Sequence, residues 1–242
     1  DWSSDVCSSD LVSIIYAFYS HATFLVKYVV FKPTIALYQH HPEASRDSGA
    51  GIRLALENKY NIVEFDEKIC TDEFLSGIDM LAFPGGMGDA DKYYEFFLRK
   101  TAGRIANFVE SGGKYLGICM GAYWAGKHYF DILNGTDAVQ YIKRPTADIR
   151  RSYGTVAPIT WEETGYNMYF YDGCTFTGND FDTVARYANG DPMAIIKGKI
   201  GLIGCHPESL SYWYNYPYLK EHWHQQQHHQ LLLDFVNRLF EF

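Results

Sequence analysis

Cys119 stands in the run Tyr115-Leu116-Gly117-Ile118-Cys119-Met120-Gly121-Ala122, where an apolar stretch ends in Gly-x-Cys-x-Gly. A segment able to form a helix follows at once, Ala122-Tyr123-Trp124-Ala125. This is the pattern of a nucleophile elbow, with cysteine in the place better known for serine. The flanking glycines suit a tight turn that leaves little room for a Cβ on either side. A cysteine held there points its sulfur out of the sheet, at the start of a helix whose free N–H groups attract an anion.

A cysteine nucleophile needs a base, a group to orient that base, and donors for the developing oxyanion. Gly201-Leu202-Ile203-Gly204-Cys205-His206-Pro207-Glu208 puts a histidine directly after a strand-like run, then a stiff proline, then a carboxylate. Glu208 can turn back to hold one ring nitrogen of His206 while the other faces the thiol, which is the base-and-orienter logic of a triad. Each residue also has a plainer reading. Cys119 alone could be a small buried hydrophobe, His206 a strand-end histidine, and Glu208 a carboxylate at a helix start. It is their joint occurrence that favours chemistry.

The elements that must position these residues follow from the punctuation of the chain. Short apolar runs at residues 34–38, 61–65, 78–83 and 114–118 read as strands. A helical segment carries Ile52, Leu54, Ala55 and Leu56 after a polar loop at 40–49, and a long helix is expected over 92–110, ended by Gly112-Gly113. Strands alternating with helices through short loops give βαβ units and a parallel sheet with helices on both faces. The second half is richer in short strands, at 153–159, 168–171, 183–187, 193–197 and 200–204, before a closing helix with its apolar stripe at Leu231, Leu232, Phe235, Val236 and Leu239. In such sheets ligands bind at the carboxyl ends of the strands. Pro84-Gly85-Gly86 and Cys119 should therefore share one crevice. The fold class expected is α/β, a three-layer sandwich with a flavodoxin-like, mostly parallel sheet and a nucleophile elbow.

The chain has 242 residues, 47% hydrophobic and 21% charged, which suits a globular domain with a sizeable core. A net charge of −8 with no basic cluster argues against a nucleic-acid partner. The 20 Tyr, 16 Phe and 5 Trp call for an aromatic core or pocket, though counting does not place it. Five cysteines without a CxxC fit a reducing compartment. Cys205 should turn away from His206, because strand neighbours alternate faces. Cys174, in Tyr171-Asp172-Gly173-Cys174, is expected in a turn near the crevice. His222, His224, His228 and His229 have no carboxylate or thiol at a ligand spacing, so no metal is expected, and Gln225 to Gln227 suggest a solvated polar face. No cofactor motif is present.

Residues 1–11, DWSSDVCSSDL, resemble translated adapter sequence and are set aside as non-native. Residues 12–32 are largely apolar and could be the remnant of a signal or anchor. A cytoplasmic location is expected, with export or membrane anchoring through 12–32 as the alternative. Residues 33–242 read as one domain.

Gly117-Ile118-Cys119-Met120-Gly121 with His206-Pro207-Glu208, and the Pro84-Gly85-Gly86 turn after the third strand, resemble the class I glutamine amidotransferase-like superfamily. More narrowly, Phe83 to Asp89, Gly112 to Tyr123 and Cys205 to Glu208 are similar to the amidotransferase-like domain at the N-terminus of some biotin–protein ligases, which also occurs alone. The resemblance covers about residues 33–242. It implies Cys119 as nucleophile, His206 as base and Glu208 as orienting acid. It also implies the backbone N–H groups of Met120 and Gly86 as oxyanion donors, each able to supply about 3 kcal/mol to a transition state.

One position departs from the pattern. Glutaminase members carry Gln four residues after the cysteine, and here that residue is Tyr123, followed by Trp124. A different pocket is expected, with a phenol and an indole donor, and glutamine is not the expected substrate. Asp89 and Asp91 either face this pocket or cap the helix expected near Lys92; the helix's need for acceptors favours the cap. The function expected is a cysteine-dependent amide hydrolase or amidotransferase-like protein acting on a small-molecule or peptide amide. The alternative is a non-catalytic binding module or thiol sensor on the same fold. A homodimer is compatible with this reading.

Overall fold

Residues 34–38 and 80–83 are apolar at nearly every position, a pattern that fits strands covered on both faces. A computed structural model describes residues 32–39, 46–87, 90–95, 97 and 99–241, with the side chains of 90 and 93 excepted. Residues 1–31 and Asp89, for which the sequence raised expectations, lie outside the described residues. The first half runs Thr34–Tyr38 (β1), Arg46–Leu56 (α1), Asn61–Phe65 (β2), Asp72–Leu75 (α2), Met80–Phe83 (β3), Ala90–Tyr94 (α3), Arg99–Glu110 (α4), Lys114–Ile118 (β4) and Met120–Trp124 (α5). Then come Thr136–Gln140 (β5), Thr155–Trp161 (β6), Thr164–Phe170 (β7), Cys174–Gly178 (β8), Asp182–Tyr187 (β9), Pro192–Lys197 (β10), Ile200–Ile203 (β11) and Gln227–Glu241 (α6).

One sheet has the order β2-β1-β3-β4-β11-β10-β9-β6-β7, and β5 pairs with β8 in a separate ribbon. Neighbours from β2 to β11 are parallel. From β11 through β10, β9 and β6 to β7 they are antiparallel. The parallel part has the 2-1-3-4 order of a flavodoxin-like sheet, whose direction reverses between β1 and β3. That reversal opens a crevice at the strands' carboxyl ends.

Side chains on β1 alternate between two cores. Ile35 and Leu37 pack with Ile52 and Leu56 of α1 and with Leu232, Phe235, Val236 and Leu239 of α6. Ala36 and Tyr38 pack on the other face with Ile105 of α4, Trp124 of α5 and Phe83, Phe97 and Phe130. The sheet is therefore covered on both sides, as a three-layer sandwich requires.

Several elements differ from the sequence reading. The helix expected over 92–110 is two helices, Ala90–Tyr94 and Arg99–Glu110. Phe97 lies between them, its N–H donating to Tyr94 O at 2.8 Å, and is buried in ring contact with Tyr38, Phe83, Trp124 and Phe130. Burying that ring interrupts the helix, an effect periodicity does not register. The loop expected to reach residue 49 ends earlier, since α1 begins at Arg46. The β5–β8 ribbon was not foreseen, and Cys174 opens β8, fully buried, rather than lying in a turn.

Candidate active site

Three loops and the first turns of α1 meet at the carboxyl edge of the parallel strands. The β4–α5 junction carries Cys119, with φ 48° and ψ −103°. For a residue with a Cβ this lies outside the ordinary regions, a strained conformation that surrounding structure must hold in place. Cys119 N–H donates to Ile203 O at 2.8 Å, and Gly121 N–H to Pro84 O at 3.2 Å. A Cβ at Gly121 would lie 2.1 Å from Phe83 O, so the elbow closes against β3 only with glycine there.

The loop after β11 carries His206 and Glu208. His206 Nδ1 and Glu208 Oε1 are 2.8 Å apart, with both side chains almost wholly buried. Burial works against a charged imidazole. The Glu208 carboxylate, and after it Cys119, outweigh that effect and push His206 up to about 10. Together they favour the charged ring. Cys119 contributes to this rise through its charge when ionised and through a side-chain contact with the His206 ring, and its thiol also reaches Tyr171 O at 3.4 Å. His206 Nε2 is buried without a hydrogen-bond partner among the described residues.

The loop after β3 passes between the two. A Cβ on Gly85 would lie 2.4 Å from His206 Cε1 and 3.4 Å from Cys119 Cβ. Gly85 N–H donates to Ser48 Oγ at 2.8 Å, and Ser48 Oγ donates to Glu208 Oε1 at 2.6 Å. Among the described residues the N–H groups of Gly86 and Met120 have no acceptor.

Ser48 is the residue the sequence reading missed. It is buried in the first turns of α1, which follows β1, and ties the Gly85 loop to the Glu208 carboxylate across 160 residues. A signal was present in the small residues Asp47-Ser48-Gly49-Ala50-Gly51. A Cβ on Gly51 would lie 2.0 Å from Glu208 O, so small residues are what let α1 approach this turn. Ser48→Ala leaves the Gly85 N–H without a buried acceptor and removes a donor from Glu208. It should destabilise the protein by about 1–3 kcal/mol, read as a thermal midpoint lower by roughly 5 °C. An unchanged midpoint would show that the bridge carries no energy.

Two cavities flank the site and share Gly86 and Tyr171. One, of about 410 Å³, includes Cys119, Met120, Tyr123, Gln140, Lys143 and Asp172. The other, of about 160 Å³, includes His206, Tyr169, Trp213, Tyr216 and Asp47. Tyr123 is in the first cavity, but its phenol donates to Asp172 O at 3.3 Å and burial holds its proton on. Trp124 is not a pocket donor: it is 2% exposed within the aromatic core. Asp91 does not precede a helix as a cap. It sits within α3 and accepts a hydrogen bond from Tyr129 at 2.6 Å. Cys205 is buried near the Tyr187 hydroxyl, 3.8 Å away.

The histidines near the chain end are not a solvated face. His224, His228 and His229 are buried, with His224 and His228 stacked at 3.9 Å between centroids. Ser209, the neighbour of Glu208, meets His224 Nε2 through its hydroxyl at 3.2 Å and His229 Nε2 through its carbonyl at 3.1 Å. Among the described residues no three His, Cys, Asp or Glu are placed to hold a metal ion. Among the same residues no helix is long and apolar enough to cross a membrane.

The mixed sheet with its flanking helices is an α/β fold that solved glutamine amidotransferases share. The fold is similar to that of a glutamine amidotransferase from Thermotoga maritima, with a TM-score of 0.64 at 13% identity, over 88% of this chain and 100% of that one. PurLQS from the same organism gives 0.57 at 15% identity, over 85% and 100%. More narrowly, residues 39–140 match the family described as biotin-protein ligase, N terminal. That match spans Gly86, Cys119 and Tyr123 and stops before His206. The biotin–protein ligase of Schizosaccharomyces pombe is 30% identical over 163 residues, 53% of this chain and 25% of the ligase. An uncharacterised protein of Chlamydia muridarum is 32% identical over 161 residues, 54% of this chain and 61% of that protein. The chain thus spans less than two thirds of either curated relative.

Proposed function

We propose that this module is a cysteine-dependent hydrolase of C–N amide bonds, with Cys119 as nucleophile, His206 as acid and base, and Glu208 as the group that orients and charges the ring. The observation that carries the reading is the buried His206–Glu208 pair at 2.8 Å, whose outer nitrogen Nε2 is left without a partner beside Cys119. A buried nitrogen without a partner costs free energy in a purely structural role, and is useful where it must give and take a proton. The N–H groups of Gly86 and Met120 support the reading as oxyanion donors, since neither has an acceptor among the described residues. Tyr123, engaged with Asp172 O where glutaminases carry Gln, argues against glutamine as substrate.

A second reading, a binding module or thiol sensor that keeps the fold without turnover, is favoured by one observation: the Cys119 thiol, though close enough to His206 to interact with its ring, also donates to Tyr171 O at 3.4 Å. Alkylation separates the two. Iodoacetamide at pH 7 should label Cys119 at least tenfold faster than the buried Cys70 and Cys174 in the folded protein, and His206→Ala should remove most of that advantage. Turnover of small amides by the wild type, lost in Cys119→Ala, would complete the case. If Cys119 labels no faster than an ordinary thiol, the hydrolase reading fails. Fast labelling without turnover of any amide would leave the sensor.

A further inference from the structure

The two cavities divide the reacting groups between them. The larger contains Cys119 without His206, and the smaller contains His206 without Cys119; Gly86 and Tyr171 belong to both. Resting on the hydrolase reading, we propose that the smaller cavity is a leaving-amine site, and that the substrates are N-substituted amides whose amine carries one ring-sized or branched apolar group.

The chemistry fixes which side the amine occupies. Cys119 Sγ attacks the carbonyl carbon and a C–S bond forms. Collapse of the tetrahedral intermediate breaks the C–N bond, the electron pair leaves on nitrogen, and that nitrogen takes the proton from His206 Nε2. The nitrogen must therefore lie against His206, and its substituent must extend into the space His206 lines. Water then enters, gives a proton to Nε2, attacks the thioester and releases the acid and the thiolate. Ammonia as leaving group would need no such space.

The cavity's size and walls set the class of amine. At about 160 Å³ it matches a void that takes a benzene-sized group. Tyr169 and Trp213 stand edge-to-face at 5.0 Å between centroids, and each contacts the His206 ring, at 5.9 and 5.5 Å. These rings form an aromatic wall beside the His206 ring. Tyr216, 63% exposed, and Asp47, which after burial helps hold the Tyr212 phenol's proton on, also line the cavity. The one proton from Nε2 makes the departing group a neutral amine; on taking a second proton from water it becomes an ammonium, which aromatic faces and a carboxylate both favour.

Microscopic reversibility supplies the test, because an amine that leaves through a site also returns through it. Cys119 would be acetylated with p-nitrophenyl acetate, and benzylamine or methylamine offered in competition with water. Each capture rate is divided by the rate at which the same amine attacks a free acetyl thioester. Benzylamine should capture the acetyl group at least tenfold better than methylamine, giving N-benzylacetamide. Trp213→Ala and the exposed Tyr216→Ala should each erase most of that preference while the acetyl group still forms on Cys119. Acylation followed by equal capture of both amines overturns the leaving-amine site and leaves the hydrolase reading standing. Failure of Cys119 to acylate overturns both.

Discussion

Glu208→Gln is expected to drop the His206 pKa from about 10 to below the 6.5 of a free imidazole. In the wild type two effects oppose each other at this ring: burial disfavours its charge, and the Glu208 carboxylate at 2.8 Å favours it. Glutamine keeps an oxygen for Nδ1 and removes the charge, so that only Cys119 is left to oppose burial. The ring should be neutral at pH 7.5, visible in the imidazole carbon and nitrogen shifts of the labelled protein. Without an imidazolium beside it, alkylation of Cys119 at pH 7 should slow by about tenfold or more, within the range proton-transfer partners supply. Stability should follow the same linkage. A raised pKa stabilises the fold fully below 6.5, and that contribution is lost as pH rises through about 10. The variant should therefore be less stable than the wild type at pH 6, with the gap closing towards pH 10. A His206 titration unchanged by the substitution would remove Glu208 from the role given to it.

Acid should loosen the protein from a different place. Burial, then the neighbouring His228 and His229, hold His224 down to about 3, and burial, then His229, hold His228 down to about 4. Both are depressed below 6.5, so the unfolded chain binds protons that the folded chain refuses. Stability is full above pH 6.5 and falls as pH drops below it. Over the interval from 6.5 to 4.5 the loss should be roughly 2–5 kcal/mol for the pair. Denaturant midpoints at pH 7 and 4.5 would measure it. His228→Phe keeps a ring against His224 and Tyr166 and removes one of the two proton sites. It should reduce the acid loss by about half, a difference that cancels the carboxylates common to both proteins. Equal slopes for variant and wild type would exclude the stacked histidines as the source.

The sequence was most readable where local pattern and tertiary demand agree. β1, β2 and β4 fall on the residues their apolar runs announce, because a strand covered on both faces needs little beyond such a run. Cys119 and His206 could be found because glycines and proline fix their turns locally. Ser48 could not. Its partners are Gly85 and Glu208, 37 and 160 residues away, and a serine near a helix start reads first as a cap. Phe97 went unread for the same reason: its burial is decided by rings on four other segments, and it breaks a helix that periodicity would continue. Tyr123 was noticed as a departure, but not that its phenol is already occupied. That depended on Asp172, whose φ of 49° turns the chain beside the cavity.

Ser48 comes from α1, and Gly85, Cys119 and His206 come from the junctions after β3, β4 and β11. They meet only after β1, β3, β4 and β11 have paired, and β11 inserts beside β4 from more than 80 residues downstream. Contacts of such sequence separation form slowly and late in folding, since the loops must close before the pairing rewards them. If Cys119 acts as the proposed nucleophile, its labelling rate would be a gauge of completed folding. A chain released from refolding should gain far-ultraviolet dichroism well before its thiol acquires any distinctive rate. Fragments lacking the last third should hold the cysteine without its base.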